Sequence, residues 1–463
     1  MIKLVSGICL LVGLSAAAHA QIAKTPATMQ AYAAGYKAAF TCSATFNAGK
    51  TVEQITAHEF NGIYPTFRPY FDKVSAAVID RENKRVSVQY TEEMPPRIAQ
   101  WRPGLGCAQL PVGASEADAQ YLPSIAVKRP PSSDEQPWQA MNSGGTKLQA
   151  LLDTIMHSSE YGKDTYTSAL LVASSDALLA ERYTEGLSHK TSQRTWSVAK
   201  SITATLIGTA VQGGLLDVNK PTAIADWQSP MDPRKAITLE NLLHMASGLD
   251  TNIVGSRTDR LYMGGGRVSD TATERALEAK PGTRWKYANY DTLLVGKVLR
   301  TAFKNQKAFN EYPLRALFNK LGMNDTYLET DWSGDFVLSS QAWTTSRDLA
   351  RLGILYLQDG VWKGERLLPK GWTNYVSAAK GPQPPVKVGD IPIPGYGAQF
   401  WLYSQDRFPY LPDDTIAARG HRGQYLVIIP SKNIVMVRRG YDPAGGDGFK
   451  LEKYIADVLE ALS

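Results

Sequence analysis

Two short stretches of the sequence place a serine three residues before a lysine, on neighbouring positions of one helical turn. They are SVAK at residues 197–200 and SAAK at residues 377–380. A serine hydroxyl is a weak nucleophile until a base removes its proton, and a lysine serves as that base only when it is uncharged. Both residue types are common, so the spacing alone does not separate a catalytic pair from two ordinary helix residues.

The surroundings of the two pairs favour Ser197 and Lys200. Ser197 precedes an apolar run with helical spacing, residues 198–216, whose N-terminus offers free N–H groups and positive partial charge to an oxyanion. Burial against this helix would lower the pKa of Lys200. Ser377 instead lies near the end of its segment, because a Gly-Pro dipeptide follows its lysine and stops a helix there.

A second candidate motif consists of Tyr287 and Asn289, the only Tyr-x-Asn in the chain. A phenol can relay a proton between a nucleophile, its base and a leaving group, and an amide can hold a substrate carbonyl. Taken alone, Tyr287 would be an ordinary core or surface tyrosine. Its interpretation as a functional residue depends on the serine and lysine upstream.

A third candidate segment, His421-Arg422-Gly423, stands at the entry to an apolar strand. A glycine there lets a substrate approach the backbone closely, and the next N–H group, that of Gln424, would point at the substrate. His421 is either a substrate contact or a structural histidine. Arg422 is either solvated or holds a substrate carboxylate, and the sequence leaves both alternatives open.

The order of SVAK, YAN and HRG along the chain resembles the serine β-lactamase and penicillin-binding-protein superfamily. The resemblance is to its class C-like branch, which includes 6-aminohexanoate-oligomer hydrolases and carboxylesterases, and it covers about residues 165–460. Further segments that resemble the family are residues 242–250, 281–289, 395–402 and 420–437.

The resemblance implies a role for each candidate residue. The catalytic residues would be Ser197 as nucleophile, Lys200 as base and Tyr287 as proton relay. The residues that bind the substrate or its oxyanion would be Asn289, His421, Gly423 and Gln424. The oxyanion hole would consist of the backbone N–H groups of Ser197 and Gln424.

These roles describe an exported serine hydrolase that cleaves a small ester or amide through an acyl-enzyme, without a cofactor. The third motif departs from the family's Lys-Thr-Gly, whose side chains help to hold the carboxylate of a β-lactam. A β-lactamase or a D-stereospecific peptidase is therefore the alternative rather than the first expectation. A non-catalytic sensor or binding module on the same fold is a further alternative.

The chain that must position these residues divides into four segments. We expect a signal peptide at residues 1–20, an N-terminal extension of unknown role at 21–128, a linker at 129–145 and a hydrolase domain at 146–463. Within the hydrolase domain, hairpin-linked strand patterns are interrupted by a long, mainly helical insert. This pattern predicts an α/β (α+β) fold in which a mostly antiparallel sheet is flanked by helices.

The predicted signal peptide indicates an oxidising compartment. It begins with a positive residue, continues in an apolar stretch and ends at Ala18-His19-Ala20, a small-x-small cleavage site. The predicted localisation is therefore periplasmic or secreted. Cys42 and Cys107 remain after cleavage and are expected to form a disulfide, the alternative being two buried thiols.

The composition argues against a nucleic-acid partner. The 50 basic and 44 acidic residues give a net charge of only +6, and the surplus is spread along the chain. No stretch after the signal is long and apolar enough to cross a bilayer, so we expect no membrane association after cleavage. The six histidines are scattered, so we expect no metal site. The oligomeric state is left open.

Overall fold

A computed structural model describes the protein over residues 25–130, 137–251, 259–443 and 448–463. The expected signal peptide, residues 1–20, lies outside these ranges. None of the helices within them is both long and apolar enough to cross a membrane.

The N-terminal extension consists of a long helix packed on a small antiparallel sheet, whose strands pair in chain order. Its elements are α1 (Pro26–Phe46), α2 (Val52–His58), α3 (Arg68–Phe71), β1 (Val78–Asp80), β2 (Arg85–Val88), β3 (Arg97–Arg102) and β4 (Gly106–Gln109). Several buried alanines let α1 approach the sheet closely. A disulfide between Cys42 in α1 and Cys107 in β4 joins the two layers, as predicted.

The rest of the chain contains a large sheet and several short strand pairs. Its strands are β5 (Ala140–Met141), β6 (Thr167–Ala173), β7 (Ala177–Tyr183), β8 (Gln193–Arg194), β9 (Tyr327–Leu328), β10 (Ala342–Thr344), β11 (Val361–Trp362), β12 (Glu365–Arg366), β13 (Lys387–Val388), β14 (Ile391–Pro392), β15 (Gly395–Tyr396), β16 (Trp401–Leu402), β17 (Ile416–Gly420), β18 (Gln424–Ile429) and β19 (Ile434–Gly440).

Along the chain, most helices of this part come between β7 and β15, and thus between the two groups of strands that form the large sheet. They are α4 (Gly145–His157), α5 (Val198–Gln212), α6 (Leu239–Leu243), α7 (Asp259–Tyr262), α8 (Val268–Ala272), α9 (Asn289–Thr301), α10 (Gln306–Pro313), α11 (Asn319–Leu321), α12 (Ser346–Leu357), α13 (Trp372–Val376) and α14 (Leu451–Leu462). The mainly helical insert predicted from the sequence is therefore confirmed, and it runs from α5 to α13.

The large sheet has the strand order β15–β16–β17–β18–β19–β6–β7–β5. Its neighbours are antiparallel except for β5 and β7. Side chains alternate between its faces: Leu426 and Ile428 of β18 join the core that includes α5 and α12, whereas Val427 and Ile429 join the core formed with α4 and α14. This arrangement confirms the predicted fold class, a mostly antiparallel sheet flanked by helices.

The segment expected to be a linker, residues 129–145, contains ordered structure in its described part. Trp138 is buried, and Ala140 and Met141 form the edge strand β5. This strand is anchored by a backbone hydrogen bond from Gln139 N to Asp176 O at 2.6 Å. A two-residue strand held through its backbone has no side-chain period, so the sequence pattern did not reveal it. The position of the domain boundary stays a prediction.

Candidate active site

Ser197 stands at the N-terminus of α5, directly after a residue with an unusual backbone. Trp196 has φ of +50°, in the left-handed region that bulky side chains rarely adopt. Ser197 follows as the N-cap residue, and its hydroxyl makes no capping hydrogen bond. The hydroxyl is therefore available to react, and the backbone N–H groups of the first helical turn surround it.

Lys200 lies one turn into α5 and is only 1% exposed. Its Nζ is 3.2 Å from Ser197 Oγ, 2.7 Å from Asn289 Oδ1 and 2.8 Å from the backbone oxygen of Ser339. Burial lowers the pKa of Lys200 to about 7. The amide and backbone oxygens can only accept, so they bind two N–H groups of Lys200, and these are all the N–H groups it has when the amine is neutral. Its lone pair then faces the Ser197 hydroxyl.

Tyr287 reaches the same hydroxyl from another side. It is hydrogen-bonded to Ser197, and burial raises its pKa to about 12. Its ring centre lies 5.1 Å from Lys200 Nζ and 5.5 Å from the ring of Trp401, on which it stacks. Near pH 7 Tyr287 is therefore a protonated phenol that can donate a proton, whereas Lys200 has the pKa of a base.

Asn289 is the first residue of α9, and Lys200 uses its side-chain oxygen. The backbone oxygen of Ser339 fixes Lys200 from the opposite side, and the Ser339 hydroxyl lies 2.5 Å from Tyr262 Oη. The contribution of Ser339 was not found from the sequence. A backbone carbonyl acts without a residue-type signal, so no motif could have revealed it.

The turn between β17 and β18 brings His421 beside Trp196, the residue before Ser197. Its half-buried ring lies edge-on to the ring of Trp196 at 5.1 Å. Gly420, the preceding residue, packs against the start of α5: a Cβ there would lie 2.2 Å from Thr195 O and 3.3 Å from Ser197 N. Gly420 is thus a site residue that the motif search missed, and a glycine directly before HRG was its only signal.

The other residues of this turn point into the protein. Arg422 is 4% exposed and its guanidinium binds protein groups. Its side chain is therefore neither solvated nor available to bind a substrate carboxylate. A Cβ on Gly423 would lie 1.6 Å from Arg438 Nη1, so packing alone requires a glycine there. The Gln424 side chain binds the backbone oxygen of Arg422 and Nε of Arg439. Contacts of Gly423 and of the Gln424 N–H group with substrate stay predictions.

The competing pair has no catalytic setting. Ser377 follows the short helix α13, and its hydroxyl contacts the backbone oxygen of Asn374 at 3.4 Å. Lys380 is exposed and forms an ion pair with Glu240 at 3.1 Å. Its amine is therefore solvated and bound to a carboxylate.

The residues that surround Ser197 Oγ lie within a segment that matches a known protein family. A family model described as Beta-lactamase matches residues 153–456, about two-thirds of the chain. The chain belongs to the Beta-lactamase family. Enzymes of the Beta-lactamase family are serine hydrolases, and this protein is such a hydrolase. Ser197, Lys200, Tyr287 and Asn289 all lie inside the matched segment, whereas the N-terminal extension lies outside it.

Individual relatives agree with this assignment to the Beta-lactamase family. The chain is 25% identical over 348 residues to 6-aminohexanoate-dimer hydrolase of Paenarthrobacter ureafaciens, covering 69% of this chain and 82% of that protein. It is similar to the structure of a penicillin-binding-protein homologue from Caulobacter crescentus, with a TM-score of 0.55, 12% identity and coverage of 69% and 98% of the two chains. EstA from Arthrobacter nitroguajacolicus Rue61a has a TM-score of 0.53 and 14% identity, with coverage of 70% and 98%. The two structures share the fold.

Proposed function

We propose that the protein cleaves small esters or amides by forming an acyl-enzyme on Ser197. The observation that carries this proposal is the environment of Lys200. Its buried Nζ has two acceptor-only oxygens and one hydroxyl as neighbours, and its pKa is lowered to about 7. This arrangement suits a neutral amine that accepts the Ser197 proton.

In the proposed reaction, Lys200 takes the proton of Ser197 as Oγ attacks the substrate carbonyl. The backbone N–H groups of Ser197 and Gln424 stabilise the resulting oxyanion. Tyr287 protonates the leaving oxygen or nitrogen and regains a proton from the Lys200 ammonium. The C–O or C–N bond of the leaving group then breaks, which leaves the acyl group on Ser197. Water then attacks this acyl-enzyme ester. Lys200 and Tyr287 take up the proton of the water and return a proton to Ser197 Oγ as the acyl group leaves.

Linear amides and esters are the substrates that the HRG turn favours over β-lactams. A β-lactam carboxylate needs a cation beside the nucleophile, but the Arg422 guanidinium in this turn binds backbone oxygens inside the protein. The relative from Paenarthrobacter is named for a linear amide dimer, which supports including such amides. β-Lactamase and D-stereospecific peptidase activities are the alternatives.

The test compares Ser197→Ala with the matched variant Ser377→Ala on p-nitrophenyl esters, linear amides and nitrocefin. We expect Ser197→Ala to abolish turnover and Ser377→Ala to leave it nearly unchanged. A fluorophosphonate probe should add its mass to the tryptic peptide that contains Ser197. Loss of activity in Ser377→Ala would refute the site, and rapid nitrocefin turnover would favour a β-lactamase. Absence of both labelling and turnover would refute the proposed acyl-enzyme on Ser197.

We further propose that the protein is exported and loses residues 1–20. The Cys42–Cys107 disulfide is compatible with an oxidising compartment. Intact mass spectrometry of protein from the periplasm or medium should give a chain that starts at Gln21, with no thiol that reacts before reduction. A full-length chain, or two thiols that react without reduction, would contradict export.

A further inference from the structure

The N-terminal extension contacts the turn that carries the nucleophile. Trp196 belongs to the hydrophobic core of the extension, and its ring lies 6.0 Å from that of Phe40 in α1. The Arg194 guanidinium packs on both rings, 4.3 Å from Phe40 and 3.8 Å from Trp196. Because Trp196 holds a left-handed backbone immediately before Ser197, packing from the extension stabilises the conformation that presents the nucleophile.

The extension also contacts the turn that carries His421. Arg422, with φ of +62°, donates hydrogen bonds to the backbone oxygen of His58 at 2.7 Å and to the side-chain oxygen of Asn61. It also donates to backbone oxygens of its own domain at 3.0 Å. Gly62 lies so close that a Cβ would be 2.5 Å from Arg422 Nε. The buried guanidinium therefore fixes the His421 turn to the end of α2.

Between these two contacts, the extension places an aromatic ring against His421. Tyr64 stacks on His421, with ring centres 5.9 Å apart and an interplanar angle of 21°. His421 in turn lies against Trp196. Tyr64, His421 and Ser197 are all partly exposed. A row of rings thus leads from the extension to Trp196, the residue before Ser197, while the cation of the turn, Arg422, is buried and bound to backbone oxygens.

We propose that Tyr64 determines substrate specificity by forming, with His421, an aromatic wall of the Ser197 cleft. The wall favours esters or amides with an uncharged aromatic or apolar group, because such groups gain contact area and ring packing against it. Arg422 and Asn61 are positioning residues of this wall. The inference rests on the proposed function, and it gives the extension, which the family match does not include, a part in the active site.

The first experiment measures two ratios of kcat/KM in wild type, Tyr64→Ala, Tyr64→Phe and the control Tyr70→Ala. One ratio compares p-nitrophenyl phenylacetate with p-nitrophenyl acetate, and the other compares phenyl acetate with methyl acetate. Tyr64→Ala should lower at least one ratio by about three- to ten-fold, the usual effect of one aromatic pair. Tyr64→Phe and Tyr70→Ala should leave both ratios unchanged.

The ratio that falls shows on which side of the scissile bond the wall acts. Two unchanged ratios in Tyr64→Ala, or an equal fall in Tyr70→Ala, would overturn the proposal. These outcomes differ from failure of the proposed function: a wild-type protein that cleaves none of these esters refutes the hydrolase itself. Ser197-dependent cleavage with unchanged ratios refutes only the role of Tyr64.

The second experiment replaces the exposed Asn61 by Ala, with Asn83→Ala in a turn of the extension as control. Loss of one Arg422 contact should raise KM about three- to ten-fold for the aromatic ester that wild type cleaves best. The value of kcat and the pH at which the acylation rate is half-maximal should stay unchanged. A lower kcat at constant KM would indicate lost active protein rather than positioning. That result, or an unchanged KM, would overturn the role of Asn61.

Discussion

Lys200 and Tyr287 both contact the Ser197 hydroxyl, but their pKa values are shifted in opposite directions. Burial lowers the pKa of Lys200 to about 7 and raises that of Tyr287 to about 12. Burial disfavours the charged form in both cases, which is the ammonium of one and the phenolate of the other. At neutral pH the lysine is therefore the stronger candidate for the base, and the tyrosine is a proton donor.

This assignment predicts the pH dependence of acylation. The rate should rise with pH through a midpoint near 7, because only neutral Lys200 accepts the Ser197 proton. Lys200→Arg should lower acylation as much as Lys200→Ala, by about 10²–10⁴-fold, since a guanidinium keeps its charge. Stopped-flow acylation with p-nitrophenyl acetate measures both effects. A near wild-type rate in Lys200→Arg would show that the lysine supplies charge only.

The buried lysine also predicts how stability depends on pH. Its folded-state pKa of about 7 lies below the ordinary value of 10.5, so the folded state binds fewer protons between these pH values. The contribution of Lys200 to the free energy of unfolding should therefore rise with pH across this window and be lowest below pH 7, changing by up to about 1.4 kcal/mol per pH unit.

Urea unfolding of wild type and Lys200→Met at pH 7, 8, 9 and 10 tests this prediction. Other titrating groups cancel in the comparison, so the wild-type value minus the variant value should increase steadily with pH. Parallel pH curves for the two proteins would show that Lys200 is charged in the folded state at pH 7.

At the scale of elements, the contact between β17 and the start of α5 fixes Ser197 relative to the His421 turn. Gly420→Ala would place a Cβ 2.2 Å from Thr195 O, where neither backbone can yield without moving Ser197. We expect kcat/KM to fall at least ten-fold while the protein stays folded, since misplaced reacting groups lose much of their rate.

A control for this variant is available in the same region of the fold. Gly213 ends α5, and a Cβ there would meet its nearest atom at an ordinary 3.4 Å. Gly213→Ala should therefore leave kcat/KM within about two-fold, since nothing there is displaced. Equal activities of the two variants would show that β17 tolerates a side chain beside the nucleophile.

At the scale of the whole molecule, a buried carboxylate joins the two parts of the chain. Glu329 Oε1 accepts hydrogen bonds from Ser43 Oγ at 2.7 Å, Asn47 Nδ2 at 2.8 Å and Cys107 N at 3.0 Å, all in the extension. Burial is the main influence on this group and raises its pKa. Removing the side chain would leave three buried donors without their acceptor.

We therefore expect Glu329→Ala to lower the free energy of unfolding by about 3–5 kcal/mol. The exposed Glu92→Ala should change it by less than about 0.5 kcal/mol. Chemical denaturation measures both values, and limited proteolysis should cut the extension faster in Glu329→Ala. If the two variants were equally stable, the extension would be held by its apolar contacts alone.

The meeting of the first two motifs and the fold class could be predicted from the sequence for a local reason. Ser197 with Lys200, and Tyr287 with Asn289, are spaced so closely that one helical turn or one loop fixes their geometry. Period-two and helical patterns predicted the hairpin of β6 and β7 and the helix that begins after Ser197. This helix ends at Gln212, directly before the Gly-Gly pair that was expected to stop it.

Only the tertiary structure decided which groups meet around Ser197 and which residues of the motifs turn inwards. The Ser339 carbonyl acts through a backbone atom, which carries no residue-type signal, and a single glycine before HRG does not show which backbone Gly420 packs against. The inward direction of Arg422 and the place of Tyr64 beside His421 depend on packing between segments more than 300 residues apart. Such contacts follow from the complementary shapes of two folded surfaces, which no local pattern records.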